Sequence, residues 1–387
     1  MPDIHRLVNE QKDRIIGFRR DLHRIPETAY TEKKTAAYVA DVLRREGLDV
    51  QTGIAETGVV GLLETGKPGP TVLIRSDMDA LPISEETGLD FSSTHPGIMH
   101  ACGHDAHMAM LLGSARTMAG LRDDLSGNIK FLYQPAEEGP GGAKQMIDAG
   151  VVENPKVDFS LGCHVWPDIP EGTVGVKTGR FMAAMNRFNI KILGKGGHGA
   201  MPHTCVDALE VGTQVVAALQ RIVSRHLDPM EPAVVTIGMF NAGTAFNVIP
   251  DNAAISGTTR TFNEDTWRSW ETRLRKLIGG VCDSMGADFE FTLEFSYPPV
   301  INDDFVSDVV RRCAKKVVGE SNVLAPPAAM VGEDFAFFQQ KSKGCFFALG
   351  VGRENGASLH TSRFDFNEDV LMTGVETYCR VCLALLT

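Results

Sequence analysis

Four short apolar runs, each leading into acidic or metal-ligating side chains, constrain the fold of this chain more than any other feature. Residues 71–74 lead into Arg75, Asp77 and Asp79, and residues 129–133 lead through a proline turn to Glu137 and Glu138. Residues 157–161 lead to Cys163 and His164, and residues 345–349 precede His360 by a short glycine-rich stretch. Apolar runs of strand length, separated by helical periods such as that over residues 106–118, predict βαβ units in a sheet covered on both faces. Sites in such sheets gather beyond the carboxyl ends of the strands, so these four runs are expected to feed one site.

The texture changes between residues 186 and 296. Phe188, Ile190 and Ile192 alternate with polar residues, a helical pattern covers 206–225, alternation returns over 234–239 and 253–259, and a second helical pattern covers 265–285. Strand, helix, two strands, helix, strand is the order of a ferredoxin-like two-layer α+β unit. The fourth site-bearing run comes after this stretch, so an inserted domain is the economical reading. The expected architecture is α/β: a mixed, mainly parallel sheet sandwiched by helices, built from residues 1–185 and 297–387, with an inserted domain at 186–296. A chain of 387 residues is long enough for two domains of roughly 100–200 residues each.

Composition removes several function classes. With 38 basic against 49 acidic residues the net charge is −11, which opposes binding to nucleic acid or to anionic membrane surfaces. No stretch approaches the roughly 18 uninterrupted apolar residues of a membrane span, and the first 27 residues lack the apolar core of a signal peptide. A cytoplasmic protein is expected. The eight cysteines are scattered, as reduced thiols are. Cys379 and Cys382 fall in an apolar helical pattern and read as buried helix cysteines rather than a metal or redox pair.

Chemistry concentrates in His100, Cys102, His104 and His107, a thiol and three imidazoles within eight residues ahead of an apolar helix. Positions i and i+2 cannot share a helix face, so Cys102 and His104 must converge from a loop, which Gly103 permits. A core cysteine beside surface histidines is the competing reading, and His100 and His107 fit a supporting place better than a ligand's. Glu137 and Glu138 put adjacent carboxylates on a turn after a strand. One can hold a metal while its neighbour faces the attacking water, although a solvated acidic turn has the same sequence. Adding His164 and His360 makes a donor set of thiolate, imidazole and carboxylate, which suits Zn²⁺, Mn²⁺, Co²⁺ or Ni²⁺ rather than Ca²⁺ or Mg²⁺. Five ligands exceed the three usual for one catalytic zinc, so a pair of divalent ions is the better fit.

Three strings, residues 75–82 (RSDMDALP), 99–107 (MHACGHDAH) and 134–139 (QPAEEG), resemble the metal-dependent amidohydrolases that include hippurate hydrolase, bacterial N-acyl-amino-acid amidohydrolases and plant auxin-conjugate hydrolases. Further matches at His198, residues 247–250 (NVIP), residues 332–335 (GEDF) and His360 follow in order along nearly the whole chain. The resemblance implies that Cys102, His104, Glu138, His164 and His360 bind two metal ions, with Cys102 bridging. It implies Glu137 as general base, Asp79 as the aspartate that orients the metal centre, and His198 as the group that stabilises the tetrahedral oxyanion, often in the partner subunit. Asn247 and Arg260 resemble the groups that grip the free carboxylate of the substrate. Taken from the residues alone, His198 is a surface histidine in a glycine turn and Arg260 an exposed strand cation. Wider relatives carry a histidine ligand where this chain has Asp77, and an aspartate where it has Cys102, so their metal identity does not transfer.

The resemblance thus implies hydrolysis of small-molecule N-acyl amino acids, with N-aroylglycines the first substrates to try, by a homodimer joined through the insert, which serves as a lid and dimerisation domain. A dipeptidase or carboxypeptidase and an N-acetyl-diaminopimelate deacetylase are the alternatives among hydrolases. Outside that class stand a catalytically inactive binding module, which should have lost a ligand or the base, and a thiol-nucleophile enzyme using Cys102 with His104, which should survive chelators.

Overall fold

An eight-stranded mixed sheet carries the residues that the sequence sets at strand ends. The computed structural model describes residues 2–387, which divide into two compact units. The first takes the chain up to Gly179, Ile301–Pro327 and Asp334–Thr387, and the second takes Arg180–Val300 and Ala328–Glu333.

The first unit begins with helices α1 (Ile4–Asn9), α2 (Lys12–His23) and α3 (Lys33–Arg45), then strands β1 (Asp49–Ile54), β2 (Gly58–Glu64) and β3 (Thr71–Asp77). Helix α4 (His104–Ala119), strand β4 (Asn128–Gln134), helix α5 (Ala143–Asp148) and strand β5 (Phe159–Pro170) follow. The sheet order is β1-β2-β4-β3-β5, continued by the strands Lys343–Gly352, Val174–Gly175 and Val323–Leu324. Its centre is parallel: β4 with β3, β3 with β5, and β5 with Lys343–Gly352. Every residue of β3 is buried, as a parallel strand covered on both faces requires. Helix α4 is buried nearly all round, including its histidines, which is why its apolar residues show little preference for one side. Cys379 and Cys382 lie buried in the helix Val370–Leu386.

One strand differs from its sequence pattern. The run at 157–161 does not stop before Cys163 and His164, because β5 continues to Pro170. Lys343–Gly352 pairs with it beyond that point, setting Phe347 opposite Cys163 and Ala348 opposite His164. His164 therefore projects from within a strand rather than from a loop after one.

The second unit holds the strands Ala184–Leu193, Ala233–Ala242, Asn252–Thr261 and Asp288–Tyr297 in one antiparallel sheet, with helices Ala208–Arg225 and Glu264–Met285. Its chain order is strand, helix, two strands, helix, strand. Phe188, Ile190 and Ile192 pack with Val211, Val215, Trp270 and Leu274 in a core of its own. Among the described residues, no helix is long and apolar enough to cross a membrane.

Candidate metal centre

Cys102 lies in the turn before α4, and Gly103 turns the chain with φ of 84° in the left-handed region. A Cβ at Gly103 would come within 2.4 Å of Val165 Cγ2, so glycine is required there by conformation and by space. That turn sets His104 at the start of α4, where its Nδ1–H donates to the backbone oxygen of Asp79 at 2.8 Å. When the ring is neutral, as a metal ligand must be, it presents Nε2 as an acceptor, and this buried atom has no hydrogen-bond partner.

His164 is oriented the same way. Its Nδ1–H donates to the backbone oxygen of Val165 at 2.6 Å, leaving Nε2 3.3 Å from Cys102 Sγ. His360 arrives from the far end of the sequence, held by its N–H on the oxygen of Ala101 and by a left-handed φ of 60°. Its Nε2 is 3.2 Å from Cys102 Sγ and 2.9 Å from Glu138 Oε1. Ligand-type atoms thus converge in two groups, Cys102–His104–His164 and Cys102–Glu138–His360, and the thiol belongs to both.

Glu137 and Glu138 sit on the turn after β4. Ala136 adopts φ of 57° there, costly for a residue with a Cβ, and its N–H is fixed on Oε1 of the buried Glu32 at 3.0 Å. The Asp79 carboxylate accepts the N–H groups of both glutamates. Glu137, Glu138 and His104 form another convergent group. Asp77, His104 and His107 form one more, but both His107 nitrogens are engaged, Nδ1 with Asp77 and Nε2 with the N–H of Val165.

The charge balance of the cluster asks for a cation. Burial, reinforced by Glu138 and Glu137, pushes the Cys102 thiol well above its ordinary range. Burial opposes protonation of His104, yet Asp77, Asp79 and Glu138 outweigh it and lift its pKa to about 10. The His104 shift, which runs against burial, records carboxylate charge in excess of local positive charge. With the orphaned Nε2 of His104 and a donor set of thiolate, imidazole and carboxylate, the residues fit divalent transition metals.

In the second unit, His198 and Asn247 come together where the strand Gly197–His198 pairs with Val248–Ile249. Gly199 N–H donates to the Asn247 oxygen at 2.9 Å, an approach that a Cβ at Gly199 would obstruct. Ala200 N–H donates to His198 Nδ1 at 3.1 Å, so the neutral ring of this exposed histidine offers Nε2–H as a donor. Arg260 stands on Asn252–Thr261, opposite Met185 and Val234, and donates to Thr258 Oγ1 and the Thr259 oxygen. It is half-buried, and no carboxylate pairs with it among the described residues.

Several residues that shape the centre carry no local signal. Glu32 under Ala136 is one, and Asp334, which takes Arg75 and the N–H groups of Gly142 and Ala143, is another. Asp334 lies within the matched stretch 332–335, where only its place in the motif marked it. His23, without a companion in the sequence, is buried between Asp105 and Glu85.

The family model described as peptidase family M20/M25/M40 matches residues 73–384. An N-acyl-L-amino acid amidohydrolase of Geobacillus stearothermophilus is 48% identical over 303 residues, covering 78% of this chain and 81% of its own. Thermostable carboxypeptidase 1 of Saccharolobus solfataricus is 39% identical over 374 residues, covering 95% and 94%. Among solved structures, a Bacillus subtilis protein described as a dinuclear metal binding peptidase from the M20 family superposes with a TM-score of 0.83 at 33% identity, covering 98% of this chain and 99% of that one.

Proposed function

The chain belongs to peptidase family M20/M25/M40 and is a metal-dependent hydrolase, and from that premise we propose that it cleaves the amide bond of N-acyl amino acids, N-aroylglycines first among them. Cys102, His104, Glu138, His164 and His360 would hold two divalent ions of the Zn, Mn, Co or Ni type. The observation that carries this reading is the thiol common to two groups of ligand atoms, as a bridging ligand must be. The dinuclear description of the Bacillus subtilis structure supports it.

When bound, the ions supply Lewis acidity to the amide carbonyl and to the attacking water. Glu137 takes the proton of that water on its carboxylate and passes it to the departing amine nitrogen. Asp79 holds the turn that aims Glu137 while its backbone oxygen fixes the tautomer of His104. In the second unit, His198 donates from Nε2 to the developing oxyanion, and Asn247 and Arg260 take the free carboxylate of the amino-acid half. The same reading makes residues 186–296 a lid and dimerisation domain inserted between 1–185 and 297–387, in a cytoplasmic homodimer.

The Saccharolobus solfataricus relative favours a second reading, a carboxypeptidase, which cuts a chemically equivalent bond next to a free carboxylate. The two separate when amino-acid release is measured across N-benzoyl, N-acetyl and indole-acetyl amino acids, N-acetyl-diaminopimelate and dipeptides. Metal-dependent release from the N-benzoyl and N-acetyl series is expected. Activity confined to dipeptides would give the carboxypeptidase, and silence on every substrate would overturn both readings.

A further inference from the structure

Asp77 belongs to a convergent group of ligand-type atoms with His104 and His107, yet both of its oxygens are already taken. Oδ1 accepts His107 Nδ1–H at 2.7 Å and Oδ2 accepts Arg75 Nη1–H at 2.7 Å. All three residues are buried. The other ring nitrogen of His107 is an acceptor as well, because the N–H of Val165 donates to Nε2 at 3.0 Å. That N–H is free because the β3–β5 ladder ends at the pair Arg75 and Gly162, while β5 runs on through His164 and Val165.

The chain of bonds continues on the far side. Arg75 Nη2–H donates to Asp334 Oδ1 at 2.7 Å and Arg75 Nε–H to Gln134 Oε1 at 2.9 Å. Gln134 Nε2–H donates back to Asp334, whose Oδ2 also accepts the N–H groups of Gly142 and Ala143 at 3.0 Å each. A continuous path thus joins the residue next to His164 with both ends of the segment that presents Glu137 and Glu138.

We propose that Arg75, Asp77 and His107 are positioning residues, a buried relay that sets the distance between the His164 side of the metal centre and the Glu137–Glu138 turn, rather than a third metal group. The inference rests on the dinuclear reading above. Its physical basis is the direction of the bonds. Val165 N–H fixes the tautomer of His107, that tautomer requires an acceptor at Asp77, and the charge on Asp77 is met by Arg75, whose fork also reaches Gln134 and Asp334. A slip anywhere along it moves the ligand or the base against the rest of the centre, and partners behind metal ligands commonly govern affinity by roughly 10–100-fold.

Two isosteric variants test the two halves. His107→Asn retains an N–H toward Asp77 and loses the acceptor for Val165; His107→Gln retains the acceptor and loses the donor. Each purified full-length protein is titrated with Co²⁺ in the visible range, and affinity is read by competition with a chelator of known strength. The expected result is two equivalents of Co²⁺ in both variants, with shifted d–d bands and affinity lowered about 10–100-fold, while the far-UV spectrum of the metal-free protein is unchanged. Bands and affinity equal to those of the unsubstituted protein would overturn the relay. If neither variant folds, Arg75→Lys, which keeps the charge and loses the fork, decides by the same readouts, and loss of the fold there too would reduce the network to a structural role and overturn the proposal. Failure of the unsubstituted protein to take up Co²⁺ would instead overturn the dinuclear reading itself.

Discussion

The two oxygens of the Asp79 carboxylate accept the consecutive backbone N–H groups of Glu137 and Glu138, at 3.0 and 2.9 Å. One buried side chain therefore sets the direction of a candidate base and a candidate ligand together, and its backbone oxygen orients His104 as well. Asp79→Asn puts an NH₂ group against one of those N–H groups, leaving it unsatisfied at a cost of about 1–3 kcal/mol in the turn. The expected outcome is a kcat lowered about 10–100-fold with KM little changed. Steady-state kinetics on an N-acyl amino acid check it; a rise in KM at constant kcat would show that Asp79 serves binding and not the reacting geometry.

Glu137→Gln preserves size and the backbone contacts with Asp79 while removing the proton acceptor. Turnover should fall by about 10²–10⁴-fold, and metal content by elemental analysis should stay at the unsubstituted level. Retention of most of the activity would assign the base to another residue.

Chelation separates a metal mechanism from one based on Cys102 as nucleophile. Burial and the neighbouring glutamates hold the Cys102 thiol protonated in the metal-free state, which disfavours attack by a thiolate. Exhaustive dialysis against a chelator is expected to abolish amino-acid release, and Mn²⁺, Co²⁺, Ni²⁺ or Zn²⁺ to restore it. Full activity in protein shown by elemental analysis to be metal-free would return Cys102 to the role of nucleophile.

Much of both units was legible because the signals are local. The runs at 71–74 and 129–133 lie inside β3 and β4, and the alternation of Phe188, Ile190 and Ile192 marks the strand Ala184–Leu193. The true end of β5 was not, since its continuation past Leu161 depends on a partner strand, Lys343–Gly352, that begins far along the chain. Distant pairing also hides Asp334 and Glu32, whose partners Arg75 and Ala136 are 259 and 104 residues away. The same holds for Ala328–Glu333, which joins the second unit although no periodicity distinguishes it. A single sequence shows which residues have metal chemistry at the right spacing; it does not show which buried acids hold them in place.

The buried pair of His23 and Asp105 makes stability depend on pH. Burial disfavours the imidazolium, but Asp105 and Glu85 outweigh it and raise His23 to about 9. A folded-state value above the unfolded value of about 6.5 means that this contribution is fully present below pH 6.5 and is lost as pH rises through 9. It amounts to about 3 kcal/mol. Glu85, lowered to about 2 with His23 and Thr87 bonded to it, acts in the opposite sense, and its share disappears only as pH falls through 2. Urea unfolding between pH 6 and 9.5 should show the unsubstituted protein losing stability more steeply than His23→Gln. Equal slopes would mean that His23 titrates normally.

Arg260 is a half-buried guanidinium whose donors go to Thr258 Oγ1 and the Thr259 oxygen and whose charge no carboxylate neutralises among the described residues. Burial lowers its pKa without approaching neutrality, so it stays cationic and retains donors to share. A substrate carboxylate can supply the missing anion, and a fork on a carboxylate is worth about 1.5–3 kcal/mol. Arg260→Ala should therefore raise KM for N-acyl amino acids about 10–100-fold, with a smaller change for the corresponding amino-acid amides, which carry no charge there. Comparing kcat/KM for an N-acyl amino acid and its amide in both proteins isolates the carboxylate term from any general loss of packing. An equal fall on the two substrates would mean that Arg260 supports the strand Asn252–Thr261 and leaves recognition of the carboxylate to other groups.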